Sequence, residues 1–300
     1  MTIRLLLVTA FLFVSFQATS ADASLIIQRN FTGGVAPTMA GSGNLDDVFG
    51  AAADWWELAY SDPNGDGSDF VLAIDYRWAA LSGGTLGVHN LVSEGGTPHR
   101  ETGAQIRFDS DGSTDWFADG TPYENSEYTS YTESFEDFGG GVLNSGRVYT
   151  GATGDAVDNY DLFSVALHEI GHALGLSSAN DAFAAENGDL DIDVTAGPWD
   201  GGFAGSVLST RNGAHLGNSS DATDNAKYSS AAMYPYAAFN SRKMGSALDI
   251  LANAQISRWQ NPNLNPQFNT GAVPEPGSFA IWSVIGLCAM RYRRNRGPRG

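Results

Sequence analysis

"SVALHEIGHALGLSSAND", Ser164 to Asp181, decides how the chain is read. His168 and His172 stand four residues apart, and on an α-helix residues at that spacing share one face, one turn from each other. Leu167, Ile170, Ala173, Leu174 and Leu176 make the other faces apolar, so the polar trio faces a cleft rather than bulk solvent. Two imidazoles so placed can grip one zinc ion without bending the backbone. Glu169 lies beside His168, too near to be a convenient ligand and well placed to take a proton from water at the metal. The helix is expected from Asp161 to Leu176, with Asp158 and Asp161 at its positive end and Gly175 where it stops. A structural helix with two chance histidines is the competing reading, and the apolar flanks weigh against it.

A catalytic zinc takes three protein ligands and leaves the fourth position to water. Ser178 stands at the offset where the longer form of the motif would put a third histidine. Asp181 falls beyond that offset, and Glu186 follows His172 too closely to fold back onto the metal. The chain has five histidines. His89 and His99 precede the helix, which leaves His215, in the polar loop "RNGAHLGN", as the expected third ligand; an ordinary surface histidine is the alternative.

The single cysteine, Cys288, lies near the C-terminus, so no disulfide can form within the chain and a zinc site must use histidine and carboxylate. Acidic residues outnumber basic ones by 34 to 16. Setting aside the two ends leaves about 33 acidic and ten basic residues between Ser24 and Pro276. Nucleic acid is excluded as a partner for such a surface. Two clusters, Asp62-Pro-Asn64-Gly-Asp66-Gly and Asp109-Ser-Asp111-Gly, make calcium a candidate second cation. The first opens like an EF-hand loop, but Ala73 stands where its bidentate glutamate belongs.

Both ends read as addresses. Residues 1–23 combine Arg4, the apolar run Leu5 to Phe16 and the small-residue pattern Ala21-Asp22-Ala23, the layout of a secretory leader; a buried first strand is the alternative. Residues 273–300 begin with Val273-Pro274-Glu275-Pro276, continue with an apolar run from Phe279 to Met290 and close on Arg291, Arg293, Arg294 and Arg296. That order resembles the PEP-CTERM sorting signal of Gram-negative bacteria. The resemblance implies export, recognition by an exosortase and only transient membrane contact through this segment; a permanent tail anchor is the alternative, with the body outside in either case.

Between the addresses, residues 24–272 show no repeat and no charged linker, and one domain with two lobes is expected. Asp47 to Tyr60 and Ser246 to Ile256 have helical apolar spacing. Phe70 to Ile74, Thr85 to Leu91, Ala104 to Phe108 and Arg147 to Tyr149 read as strands. Strands with a helix among them, followed by a looser glycine-rich half, give an α+β architecture.

"HEIGHALGL", preceded by "GGGVLNSGRVYTGATG" and followed by "AAMYPYAAFNSRKMGSALDILANAQI", resembles the metzincin-type, matrixin-like metalloproteases of PEP-CTERM bacteria from about Ala51 to Ile256. The resemblance implies a metzincin-like zincin fold, with a twisted mixed sheet, an active-site helix and a looser C-terminal subdomain. It implies Thr85 to Leu91 as the edge strand that pairs with extended substrate, Ile106 to Asp109 as the strand beside it, and Met233 as the methionine of the turn beneath the metal. Simple core packing would give Met233 nearly the same surroundings. The departure at Ser178 is similar to leishmanolysin-like members, where an insertion separates the second and third ligands; Asn180 to Asn212 would be that insertion. The activity implied is that of a secreted or surface-associated zinc endopeptidase acting on peptide or protein substrates, with Glu169 as general base. Two further readings stay open: an extracellular matrix or surface binding module with a non-catalytic zinc site, and zinc hydrolysis of a non-peptide amide.

Overall fold

The computed structural model describes residues 23–195, 203–211, 213–217 and 227–268. The segments expected to be a secretory leader (residues 1–23, apart from Ala23) and a sorting signal (residues 273–300) lie outside the described residues. No helix among the described residues is long and apolar enough to cross a membrane.

In chain order the elements are β1 (Leu25–Phe31), β2 (Met39–Ala40), α1 (Leu45–Ala59), β3 (Phe70–Ala79), β4 (Gly87–Gly95), β5 (Arg100–Asp109), β6 (Trp116–Phe117), β7 (Tyr128–Asp137) and β8 (Val142–Ala152). They continue with β9 (Tyr160–Asp161), α2 (Leu162–Ala173), α3 (Asp181–Glu186), β10 (Asp191–Asp193), β11 (Val207–Arg211), β12 (His215–Leu216), β13 (Arg242–Met244) and α4 (Ala247–Ser257). The main sheet runs β1-β3-β5-β4, parallel except for β4, which pairs antiparallel to β5 and forms the edge. Three smaller sheets surround it: β13-β8-β7, β10-β11-β12 and β2-β6-β9. This is a metzincin-like α+β fold with a mixed sheet.

Sequence chemistry accounts for the helix that matters most. The Asp161 carboxylate caps α2 by accepting from Ser164 N at 2.9 Å. The same carboxylate receives the buried Arg242 guanidinium, which also reaches Asp119 at 2.7 Å. At the other end the helix stops three residues earlier than the Asp161-to-Leu176 reading, because Gly175 takes φ +143° and turns the chain away. α1 packs across α2, and the Trp56 indole N–H donates to the Leu167 carbonyl oxygen at 2.9 Å. Trp55, Trp56, Phe49 and Phe108 fill the core between α1, α2 and the main sheet.

A second core forms beneath α4. Phe183, Ile192, Leu208 and Leu216 from the segment after α2 pack there with Leu248, Leu251 and Ile256. Where described, the segment from Asn180 to Asn212 thus folds onto the body as α3, β10 and β11. His215 lies in a strand rather than in the loop expected of "RNGAHLGN", with Arg211 opposite it in register. That pairing gives its side chain a defined direction.

Candidate metal centre

The structure brings His168, His172 and His215 together, each offering one ring nitrogen within 4.8 Å of the others. On α2, His168 Nδ1 donates to the Ala232 carbonyl oxygen at 2.7 Å, and His172 Nδ1 to that of Leu176. Those two bonds place the N–H of each ring on Nδ1 and leave the Nε2 lone pairs free. The two Nε2 atoms are 3.0 Å apart, close to the roughly 3.3 Å that two nitrogens on one tetrahedral zinc must keep. The His215 ring centre lies 5.1 Å from that of His168 and 4.8 Å from that of His172. Three imidazoles, each with a ring nitrogen this close to the others, fit zinc by number, donor type and spacing.

The carbonyls that orient the rings are themselves held by α4. Asp249 accepts from Ala232 N at 3.1 Å and from Met233 N at 2.9 Å, which fixes the turn whose Ala232 carbonyl receives His168. One turn further along α4, Asn253 Oδ1 accepts from Leu176 N at 3.1 Å, which fixes the carbonyl that receives His172. Leu216 N donates to the Met233 carbonyl oxygen at 2.9 Å, so the strand bearing His215 hangs on the same turn. Met233 is fully buried directly beneath α2: a Cβ added at Gly171 would lie 2.2 Å from its sulfur. Reading the sequence missed Asp249 and Asn253. Their only local signal is the Ser246-Ala-Leu-Asp249 capping box and the four-residue spacing that follows it.

Glu169 lies on the cleft side of α2 and is 4% exposed. Burial pushes its carboxyl up to about 8 against the pull of a hydrogen bond from the His89 backbone. Gly87 on β4 makes room for it, since a Cβ there would come within 2.6 Å of Glu169 Oε1. His89, two residues along the same strand, turns its ring to Glu101 on β5, with Nε2 and Oε2 2.7 Å apart. Burial pushes Glu101 up to about 9 and His89 down to about 4, so at neutral pH a protonated Glu101 donates to a neutral imidazole. The His89 ring centre is 6.1 Å from that of His172, beside the histidine cluster rather than in it.

The cleft over these groups has a volume of about 540 Å³ and runs between β4 on one side and Tyr234 to Ala237 on the other. Ser178 lines it without joining the histidines. Lys243 also lines it, and burial pushes its ammonium down to about 8. His99 is remote, grouped at the surface with Glu94 and Asp181. In the loop weighed for calcium, the Asp62 carboxylate accepts from Gly65 N at 3.0 Å, and Asn64 Oδ1 accepts from Arg100 at 2.5 Å.

Residues 55–185 match the Matrixin peptidase family model, a stretch that runs from the end of α1 through both metal-facing positions of α2 to α3. No curated protein and no solved structure gives a match. The matched stretch stops short of His215 and Met233, which enter through geometry alone. Over that stretch, a little under half of the chain, the protein is similar to the matrixins, zinc-dependent metalloproteases.

Proposed function

We propose that the protein is a zinc endopeptidase that works outside the cytoplasm and cuts polypeptide laid in extended form along β4. The observation that carries this reading is the convergence of His168, His172 and His215 in the cleft that also holds buried Glu169. Those three residues would hold the ion. Zinc, when bound there, supplies a Lewis acid that polarises the scissile carbonyl and makes water acidic near neutral pH. Glu169, as the carboxylate, accepts the proton of the attacking water and passes it to the leaving amine. The edge of β4 offers main-chain donors and acceptors to an extended substrate, which fixes register with little demand on side chains. Met233 serves as an apolar floor under the histidines.

The two ends complete the proposal. The leader at residues 1–23 exports the chain, and the tail at residues 273–300 is read by an exosortase, which leaves the body secreted or at the cell surface. The test pairs zinc content with hydrolysis of an unfolded protein such as casein. Glu169→Gln is expected to keep a full equivalent of zinc and lose about 10²–10⁴-fold in rate, and His215→Ala to lose the metal as well. Wild-type protein with full zinc that hydrolyses no peptide bond would reject the peptidase in favour of a binding module with a non-catalytic zinc.

A further inference from the structure

Among the described residues, Lys243 is the one lysine or arginine lining the cleft. It sits on β13, which is tied to the histidine-bearing helix because Lys243 N donates to Ser164 Oγ at 2.8 Å. Ser164 precedes His168 by four residues on α2, about one helical turn or roughly 5.4 Å along its axis. The Lys243 ammonium donates to the Tyr236 carbonyl oxygen at 2.8 Å and lies 4.9 Å from the centre of the Tyr234 ring. An ammonium carries three donors, and this contact uses one.

No carboxylate pairs with Lys243 among the described residues, whereas Arg242, the preceding residue, has both Asp119 and Asp161. The acid that acts on Lys243 from a distance, Asp249, is already committed to Ala232 N, Met233 N and Ser246. A half-buried cation without a counter-ion is costly, and it is steadied by whichever anion enters the cleft. Among the described residues, Glu169 is the other charged side chain lining that cleft besides the histidines, and it faces β4 through Gly87.

We propose that Lys243 determines specificity by binding a carboxylate of the substrate in the cleft that also holds the metal-facing histidines. This rests on the peptidase reading and adds the chemical class of the residue accepted beside the scissile bond. The carboxylate belongs either to an Asp or Glu side chain there or to a free C-terminus seated at the same place. The acidic surface of the protein repels anionic peptides as a whole, with 34 acidic residues against 16 basic. Recognition by Lys243 is therefore a contact effect, visible when net charge is held constant.

The experiment uses quenched-fluorescence peptides of one composition in which a single Glu is moved through the positions around the cleaved bond. A Gln series and a series ending in a free carboxylate complete the set. Wild-type protein is expected to cleave the peptide with Glu at one position roughly ten- to a hundred-fold faster, as kcat/KM, than its Gln counterpart, the range of one charge-assisted hydrogen bond. Lys243→Met should bring that ratio to about one, and Lys243→Glu should invert it toward a Lys-bearing peptide. A preference confined to the free-carboxylate series assigns the site to chain ends. Equal rates for Glu and Gln in the wild type, or a preference that survives in Lys243→Met, overturn the proposal. If the wild type cleaves nothing, the peptidase reading fails by itself. Binding of the same peptides to Glu169→Gln protein, followed by fluorescence anisotropy with and without Lys243→Met, then decides Lys243 alone.

Discussion

Gly87 shows how little space the proposed general base has. With a Cβ there the nearest approach to Glu169 Oε1 would be 2.6 Å, and to its Cγ 2.8 Å, so the carboxylate must move or β4 must. Gly87→Val is therefore expected to leave zinc content intact while lowering peptide hydrolysis by about 10²-fold, the usual cost of misplacing a reacting group by an ångström. Zinc analysis and steady-state kinetics on one preparation check it. Gly171 is constrained from below: Gly171→Ala would drive a methyl into the Met233 sulfur and the Trp56 ring, with an expected loss of about 1–3 kcal/mol in denaturant unfolding. The closeness of His168, Glu169 and His172 was legible in the sequence because it is local, set by a four-residue spacing on one helix. Gly87 and Gly171 were not, since nothing near them in the chain announces the carboxylate or thioether they meet through space.

At the scale of elements, α4 holds the site without touching it. Asp249 and Asn253, four residues apart, secure the two loops whose carbonyls orient His168 and His172. Orienting partners of this kind are worth about 10–100-fold in metal affinity. Asn253→Ala is expected to weaken zinc binding within that range, measured by competition with a chromogenic chelator, and unchanged affinity would remove α4 from the account. The buried ion cluster at the start of α2 makes a stability claim instead. Arg242→Met strands Asp161 and Asp119 in the interior, with an expected cost of about 3–5 kcal/mol in chemical unfolding. The helical periodicity of "SALDILANAQI" made α4 visible. Its task was not, because the backbone groups it holds lie at Leu176, Ala232 and Met233, outside any local pattern. Similarly, β7 escaped the sequence reading because most of its residues are exposed and give no apolar alternation. β1 escaped because its apolar start, Leu25 to Ile27, is short and is followed by the polar residues Gln28 to Asn30.

Across the whole molecule, two cores meet at the histidines. α2 belongs to the core under the main sheet, whereas Leu216, next to His215, belongs to the core beneath α4. An ion shared between them couples their stabilities. Stripping it with a chelator is expected to speed amide exchange in residues 203–217 more than in β3 or β5, as followed by mass spectrometry; uniform exchange would mean that the two cores open together regardless of metal. The α+β plan was legible from alternating strand and helix patterns, whereas the route from His172 to His215 was not, being fixed by burial of Phe183, Ile192 and Leu208 far from the motif. That route has a thermodynamic consequence. With its single cysteine at position 288, this chain has no sulfur bridge to limit the entropy of its unfolded form. A ligand bond spanning His172 to His215 would close a ring of about 43 residues, and chain statistics set the resulting restriction on the order of 4 kcal/mol. The cross-link is removable, so the protein's resistance to heat should follow the supply of the ion in its surroundings.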